Sequence, residues 1–146
     1  MKLSYSLTKE AKESGVAFCV PRAGDAGFDL PALCDVSISS GGLVKISTGL
    51  ILAIPEGHVG LLRDRSSVAL RGGLVVAGVV DSSYRGEVLV AMRNLSGGEL
   101  RFSAGDRVAQ CLILPFWTCD SLREVASPQM LGSSARGEGG FGSTGS

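Results

Sequence analysis

Apolar positions recur at every second residue through much of the chain, and Gly, Pro, Asp and Ser cluster between these runs. Such alternation, broken by turn formers, predicts short β-strands. Leu3, Tyr5 and Leu7 share one face of a first strand within residues 1–7. Thr8 to Gly15 is polar, a connection or a helical turn. Val16 to Val20 reads as a short strand closed by Pro21, and residues 22–31 as a glycine-rich loop carrying Asp25 and Asp29. Val36 to Ile38 is a weak strand. From 43 to 54, Val44, Ile46, Thr48, Leu50, Leu52 and Ile54 fall on one face. Ile51 and Ala53 make the second half apolar on both faces, as in a strand entering a sandwich core. Val59 to Leu62, Leu100 to Ser103 and Val108 to Leu114 are further strands, and residues 117–125 finish the compact part. One helix is expected: Ser66 or Ser67 as N-cap, a single turn from Val68 to Arg71, and Gly72 as its stop.

The densest pattern lies at residues 77–94, AGVVDSSYRGEVLVAMRN. Two β-branched runs flank DSSYRG, which is a hairpin signal. The corner holds an acid, an aromatic and a base: Asp81, Tyr84 and Arg85. Asp is favoured in turns for its own backbone hydrogen bonds, so the corner is also compatible with an ordinary turn. Gln110 interrupts a run fit for burial. It must be hydrogen-bonded there, as a cross-link or as a site residue.

Composition narrows the class. With 21 glycines among 146 residues and 5% aromatics, the chain suits an all-β domain with many turns. The expected division is a β domain at 1–126 and a flexible Gly/Ser-rich arm at 127–146. The arm's end, RGEGGFGSTGS, keeps one arginine and one aromatic among its glycines and could order over a ligand. A net formal charge of zero offers no global field for nucleic acid. Arginines at 63, 65, 71, 85, 93, 101 and 107 still allow a local cationic pocket. A helix N-terminus beside Arg65 suits an anion. Cys19, Cys34, Cys111 and Cys119 form no C-x-x-C pair and there is one histidine, so no zinc site is expected. His58 is placed as the cap of the Pro55–His58 turn, which leaves a carboxylate as any general base. The first fifteen residues lack an apolar secretory stretch, and no run reaches membrane-spanning length. Buried, reduced thiols in a cytoplasmic protein are the expectation (host cytoplasm or nucleus if the source is viral).

Five stretches, in order, carry a resemblance: AGFDL at 26–30, RSSVA at 65–69, AGVVDSSYRGEV at 77–88, GDRVAQCLI at 105–113 and RGEGGFGSTG at 136–145. The chain resembles the trimeric dUTP pyrophosphatases (dUTPases) over nearly its whole length. The resemblance implies a jelly-roll β-sandwich with one short helix, a homotrimer with active sites between subunits, and Mg²⁺-assisted hydrolysis of dUTP to dUMP and pyrophosphate. That activity would keep uracil out of DNA and supply dUMP for thymidylate synthesis. By the same resemblance, Asp81 activates the attacking water and Gln110 helps hold it. Tyr84 lies under the deoxyribose, and the backbone from Gly78 through Val79 and Val80, with Glu87 and Val88, reads the uracil. Arg65, Ser66 and Ser67 contact phosphate, and Asp29 holds Mg²⁺ through water. From the arm, Phe141 covers the base, while Arg136, Gly142, Ser143 and Thr144 approach the phosphates. No nucleic-acid or membrane partner is implied.

Residue types fit that chemistry. Arginines and a cation stabilise charge developing on a pyrophosphate leaving group. A carboxylate takes a proton from water where that water is held against an activated phosphorus. Backbone groups of a strand can match uracil's edge only if a splayed hairpin mouth leaves them free. Two alternatives share these features. A dCTP deaminase-like enzyme needs a catalytic glutamate on the outgoing strand, where this chain has Ala91. A non-catalytic, dUTP-binding regulatory trimer would have lost motif residues, and none is missing.

Overall fold

The computed structural model describes residues 3–118 and 122–134. Two four-stranded antiparallel sheets face one another. The strands are β1 (Ser4–Leu7), β2 (Gly27–Pro31), β3 (Val36–Ile38), β4 (Leu43–Ala53), β5 (His58–Arg63), β6 (Gly73–Val76), β7 (Val79–Val80), β8 (Glu87–Asn94), β9 (Leu100–Phe102) and β10 (Arg107–Pro115). One sheet runs β1-β4-β8-β6, the other β2-β10-β5-β7, and β3-β9 forms a small ribbon. The protein is an all-β sandwich.

Alternation decides which side chains meet between the sheets. Ile46, Thr48, Leu50 and Leu52 of β4 point inward, as do Val88, Val90 and Met92 of β8. They face Phe28, Leu30, Leu62, Val108 and Cys111 of the second sheet's strands. Each large apolar side chain so buried contributes about 1.5–3 kcal/mol. Two polar residues are buried with them, and both are satisfied. Thr48 donates its hydroxyl to the Val88 carbonyl at 2.6 Å. Asn94 donates to the Ile38 and Gly98 carbonyls and accepts from Ser96, fixing the 95–98 turn.

Several expectations change. Among the described residues there are two short α-helices, not one: α1 (Lys9–Ser14) and α2 (Ser66–Leu70), with a 3₁₀ turn at Pro128–Leu131. The Thr8 hydroxyl caps α1 by accepting from the Ala11 N–H, and Gly15 ends it in the left-handed region. In α2 the N-cap is Arg65, without a side-chain cap bond. Ser66 and Ser67 instead sit exposed inside the first turn. Residues 16–20 form no strand; Phe18 packs between Tyr5 and Phe28, and Val20 is exposed. The glycine-rich loop stops at residue 26, because 27–31 pairs with β10. Cys111 is buried as expected, but Cys19 and Cys34 are exposed free thiols. No helix among the described residues is long and apolar enough to cross a membrane.

The largest correction concerns residues 77–94. Their two runs do not pair with each other. β7 pairs with β5 in one sheet, whereas β8 pairs with β4 and β6 in the other. The chain changes sheets at Ala77, which sits at φ 54°, a conformation uncommon for a residue with a side chain.

Candidate active site

That change of sheets opens a cleft. β6 covers the edge of β8 only from Ala91 to Asn94, so residues 87–90 have no β6 partner. β7 is the last strand of its sheet, and its outer edge is likewise unpaired. Between the two open edges lies a cavity of about 190 Å³, lined by Ala77, Val79, Asp81, Tyr84, Glu87 and Leu89 among others. A space of that order accepts a six-membered ring. Gly78 keeps β7 close to β5: its carbonyl accepts from the Leu62 N–H at 2.7 Å, and a Cβ there would lie 2.5 Å from the Leu62 oxygen.

The corner at 81–86 is held by its own groups. The Tyr84 N–H donates to the Asp81 carbonyl at 3.1 Å. The Arg85 guanidinium donates to the Ser82 and Tyr84 carbonyls at 2.6 and 2.8 Å. The phenol of Tyr84 folds over Gly86, where any Cβ would collide with it, and donates to the Glu87 carbonyl at 3.0 Å. The two carboxylates of the cleft differ. Glu87 accepts from the Gly49 N–H at 2.7 Å and from the Ser47 hydroxyl, so its charge is engaged with β4. Asp81 is exposed, and its carboxylate accepts no hydrogen bond among the described residues. It is free to take a proton or hold a water.

A second polar surface crosses β2, β10 and β5. Their registers set Asp29 opposite Gln110 and Gln110 opposite Arg63. Phe28, Leu30, Cys111 and Leu62 point inward on either side of this row, which turns the row outward. Asp29 accepts from Arg65 Nε at 2.8 Å and from Arg107 Nη1 at 3.2 Å. Arg65 also donates to the Arg107 carbonyl at 3.2 Å. Gln110 donates its amide to the Asp64 carbonyl at 2.8 Å. Asp29, Arg107 and Gln110 share a cavity with Cys19 and Asp25, and Arg65, Ser67, Arg71 and Arg107 line the adjoining one. Guanidinium and hydroxyl groups in such a hollow suit phosphate oxygens.

The dUTPase family model matches residues 13–145. The chain belongs to the dUTPase family. It is 42% identical over 125 residues to a deoxyuridine 5′-triphosphate nucleotidohydrolase of Corynebacterium jeikeium, covering 83% of this chain and 80% of that one. It is 37% identical over 144 residues to the same enzyme of Paramecium bursaria Chlorella virus 1, covering 98% and 99%. Staphylococcus bacteriophage 80alpha dUTPase, solved with dUpNHpp, superposes with a TM-score of 0.85 at 28% identity over 99% of each chain. The protein is accordingly a hydrolase that acts on dUTP, a dUTP diphosphatase.

Measured against this dUTPase fold, the residues singled out from sequence fall into two groups. Val79, Val80, Asp81, Tyr84, Glu87 and Val88 line the cleft, although Val88 is buried and Glu87 is tied to β4, and Gly78 holds β7 against β5 beside it. Asp29, Arg65, Ser66, Ser67 and Gln110 lie on or beside the cationic surface. The two cavities at that surface have no lining residue in common with the cleft. Arg136, Phe141, Gly142, Ser143 and Thr144 lie outside the described residues. Asp64 was missed, and Arg107 was named only as one of seven arginines that allow a cationic pocket, with no role of its own. Its place inside GDRVAQ could have singled Arg107 out, but Asp64 acts through its main-chain carbonyl, which leaves no side-chain signal.

Proposed function

We propose that dUTP hydrolysis proceeds by attack of a water held by Asp81 and Gln110 on the α-phosphate, in sites completed between the subunits of a cytoplasmic homotrimer. The observation that carries the catalytic assignment is the free carboxylate of Asp81 beside the engaged one of Glu87. As the water oxygen bonds to phosphorus, Asp81 takes its proton, and the bridging oxygen leaves with pyrophosphate. Arg65, Ser66, Ser67 and Arg107 stabilise the charge that collects on the leaving group. The open edges of β7 and β8 offer main-chain donors and acceptors to uracil, and cytosine's amino group meets the wrong partner there. Tyr84 walls the sugar. The separation of cleft and cationic surface within one chain supports a shared site. The segment at 136–146, with Phe141 and Arg136, is assigned to covering the bound nucleotide. The product dUMP leads toward thymidylate, and removal of dUTP keeps uracil from DNA.

Mg²⁺ is read as a companion of the triphosphate. Both oxygens of Asp29 face guanidinium groups, and no cluster of three acidic, His or Cys ligands exists among the described residues. Direct ligation does not fit, whereas Asp29 retains lone pairs for a metal-bound water. Such an ion would supply charge neutralisation at the phosphates.

Pyrophosphate release from dUTP, dTTP, dCTP and UTP, each with Mg²⁺ and with chelator, tests the reading. Fast release from dUTP with Mg²⁺, and at least about a hundredfold less from the others, is expected from buried polar readout. Ammonia release from dCTP, or dUTP binding without turnover, would overturn it in favour of a deaminase or a regulatory binder.

A further inference from the structure

We infer that Glu87 is a positioning residue: its carboxylate, anchored on the β4 bulge, holds Tyr84 in place and so sets discrimination against a 2′-hydroxyl. This rests on the reading of Tyr84 as the wall of the sugar site. The register of β4 against β8 shifts between Ser47 and Ile51, and Gly49 sits in that bulge at φ 70°. Its carbonyl accepts from the Thr8 N–H at 2.8 Å, which ties the bulge to the start of α1. Its N–H, with the Ser47 hydroxyl, is taken by one oxygen of Glu87. The main-chain carbonyl of the same residue receives the Tyr84 hydroxyl. Glu87 therefore connects a fixed point of a core strand to the phenol. The bonds within the corner shape it but do not fasten the ring to the sheet: the Arg85 bonds and the Tyr84 N–H bond all stay between residues 81 and 85. A carboxylate suits the anchor, because hydrogen bonds to an ionised acceptor are stronger than neutral ones.

Both donors meet Oε1, and an amide oxygen can accept the same two bonds. The anchor thus predicts a pattern that a general loss of structure would not produce. The experiment compares kcat/KM for dUTP and UTP in the full chain carrying Glu87→Ala, Glu87→Gln, Tyr84→Phe, or Glu87→Ala with Tyr84→Phe. Glu87→Ala should lower the dUTP-to-UTP ratio by roughly tenfold. Glu87→Gln should stay within about threefold of the parent, since it keeps the acceptor. Tyr84→Phe should lower the ratio comparably, and the double variant no further, because both break one linkage. An unchanged ratio in Glu87→Ala, an additive double variant, or Glu87→Gln as poor as Glu87→Ala would overturn the inference. Tyr84→Ala separates the two readings. If it lowers the ratio while Glu87→Ala does not, the sugar wall stands and the anchor falls; if it changes nothing, both fall. Should Glu87→Ala fail to fold by thermal unfolding, Ser47→Ala replaces it. Removal of one of the two donors should then give a smaller fall, and an unchanged ratio would overturn the inference equally.

Discussion

Asp29, Glu87 and Asp81 carry the same functional group in three environments. Two guanidiniums hold Asp29, a strand bulge holds Glu87, and Asp81 is left open. Their positions in the sequence marked all three, but not this division of labour, which arises from partners 36 to 78 positions away. Gln110 was legible as a polar residue in an apolar strand; its partner, a main-chain carbonyl, was not. The cysteines divide in a similar way. Burial pushes the Cys111 thiol from its usual value near 9 up to about 12. A thiol harder to ionise when folded contributes stability fully below pH 9 and loses it as pH rises toward 12. Denaturant midpoints should therefore fall across that alkaline range. Iodoacetamide followed by mass spectrometry should label Cys19 and Cys34 in the native state, and Cys111 only on unfolding. Labelling of Cys111 at the rate of Cys19 would contradict its burial.

At the scale of elements, alternation predicted β4, β5, β8 and β10 well because each buries one face. It failed where pairing, not burial, makes the strand. Residues 16–20 are a short apolar run that finds no edge, whereas 27–31 look like loop yet complete a sheet. The apparent hairpin failed for the same reason: both runs are strands, but the chain crosses to the second sheet at Ala77 for β7 and crosses back through residues 81–86 for β8. The splaying that the proposed base recognition requires thus comes from topology, not from a distorted ladder. Gly49 shows how strictly one bulge is specified. Its left-handed φ disfavours a side chain, and a Cβ there would collide with that of Ala11. Gly49→Ala should cost roughly 2–4 kcal/mol, combining backbone strain with overpacking. Urea unfolding measures it, and a loss below about 0.5 kcal/mol, the range of a neutral surface change, would show that the bulge relaxes freely.

For the whole molecule, one chain supplies a cleft that accepts a six-membered ring beside a free acid and, on a different surface, a cationic hollow with Gln110. Large apolar residues remain exposed at Val79, Phe116 and Trp117. In the proposed trimer the cleft of one subunit meets the hollow of another. Subunit complementation tests this most directly. Asp81→Asn and Gln110→Ala, each expected to lose most turnover while keeping its fold, are co-refolded in equal amounts, with native mass spectrometry confirming mixed oligomers. If the site takes Asp81 from one chain and Gln110 from its neighbour, random mixing restores about one quarter of the intact sites, and of parental pyrophosphate release. Mixed oligomers that recover no activity would place both residues in the same chain's site and contradict the account.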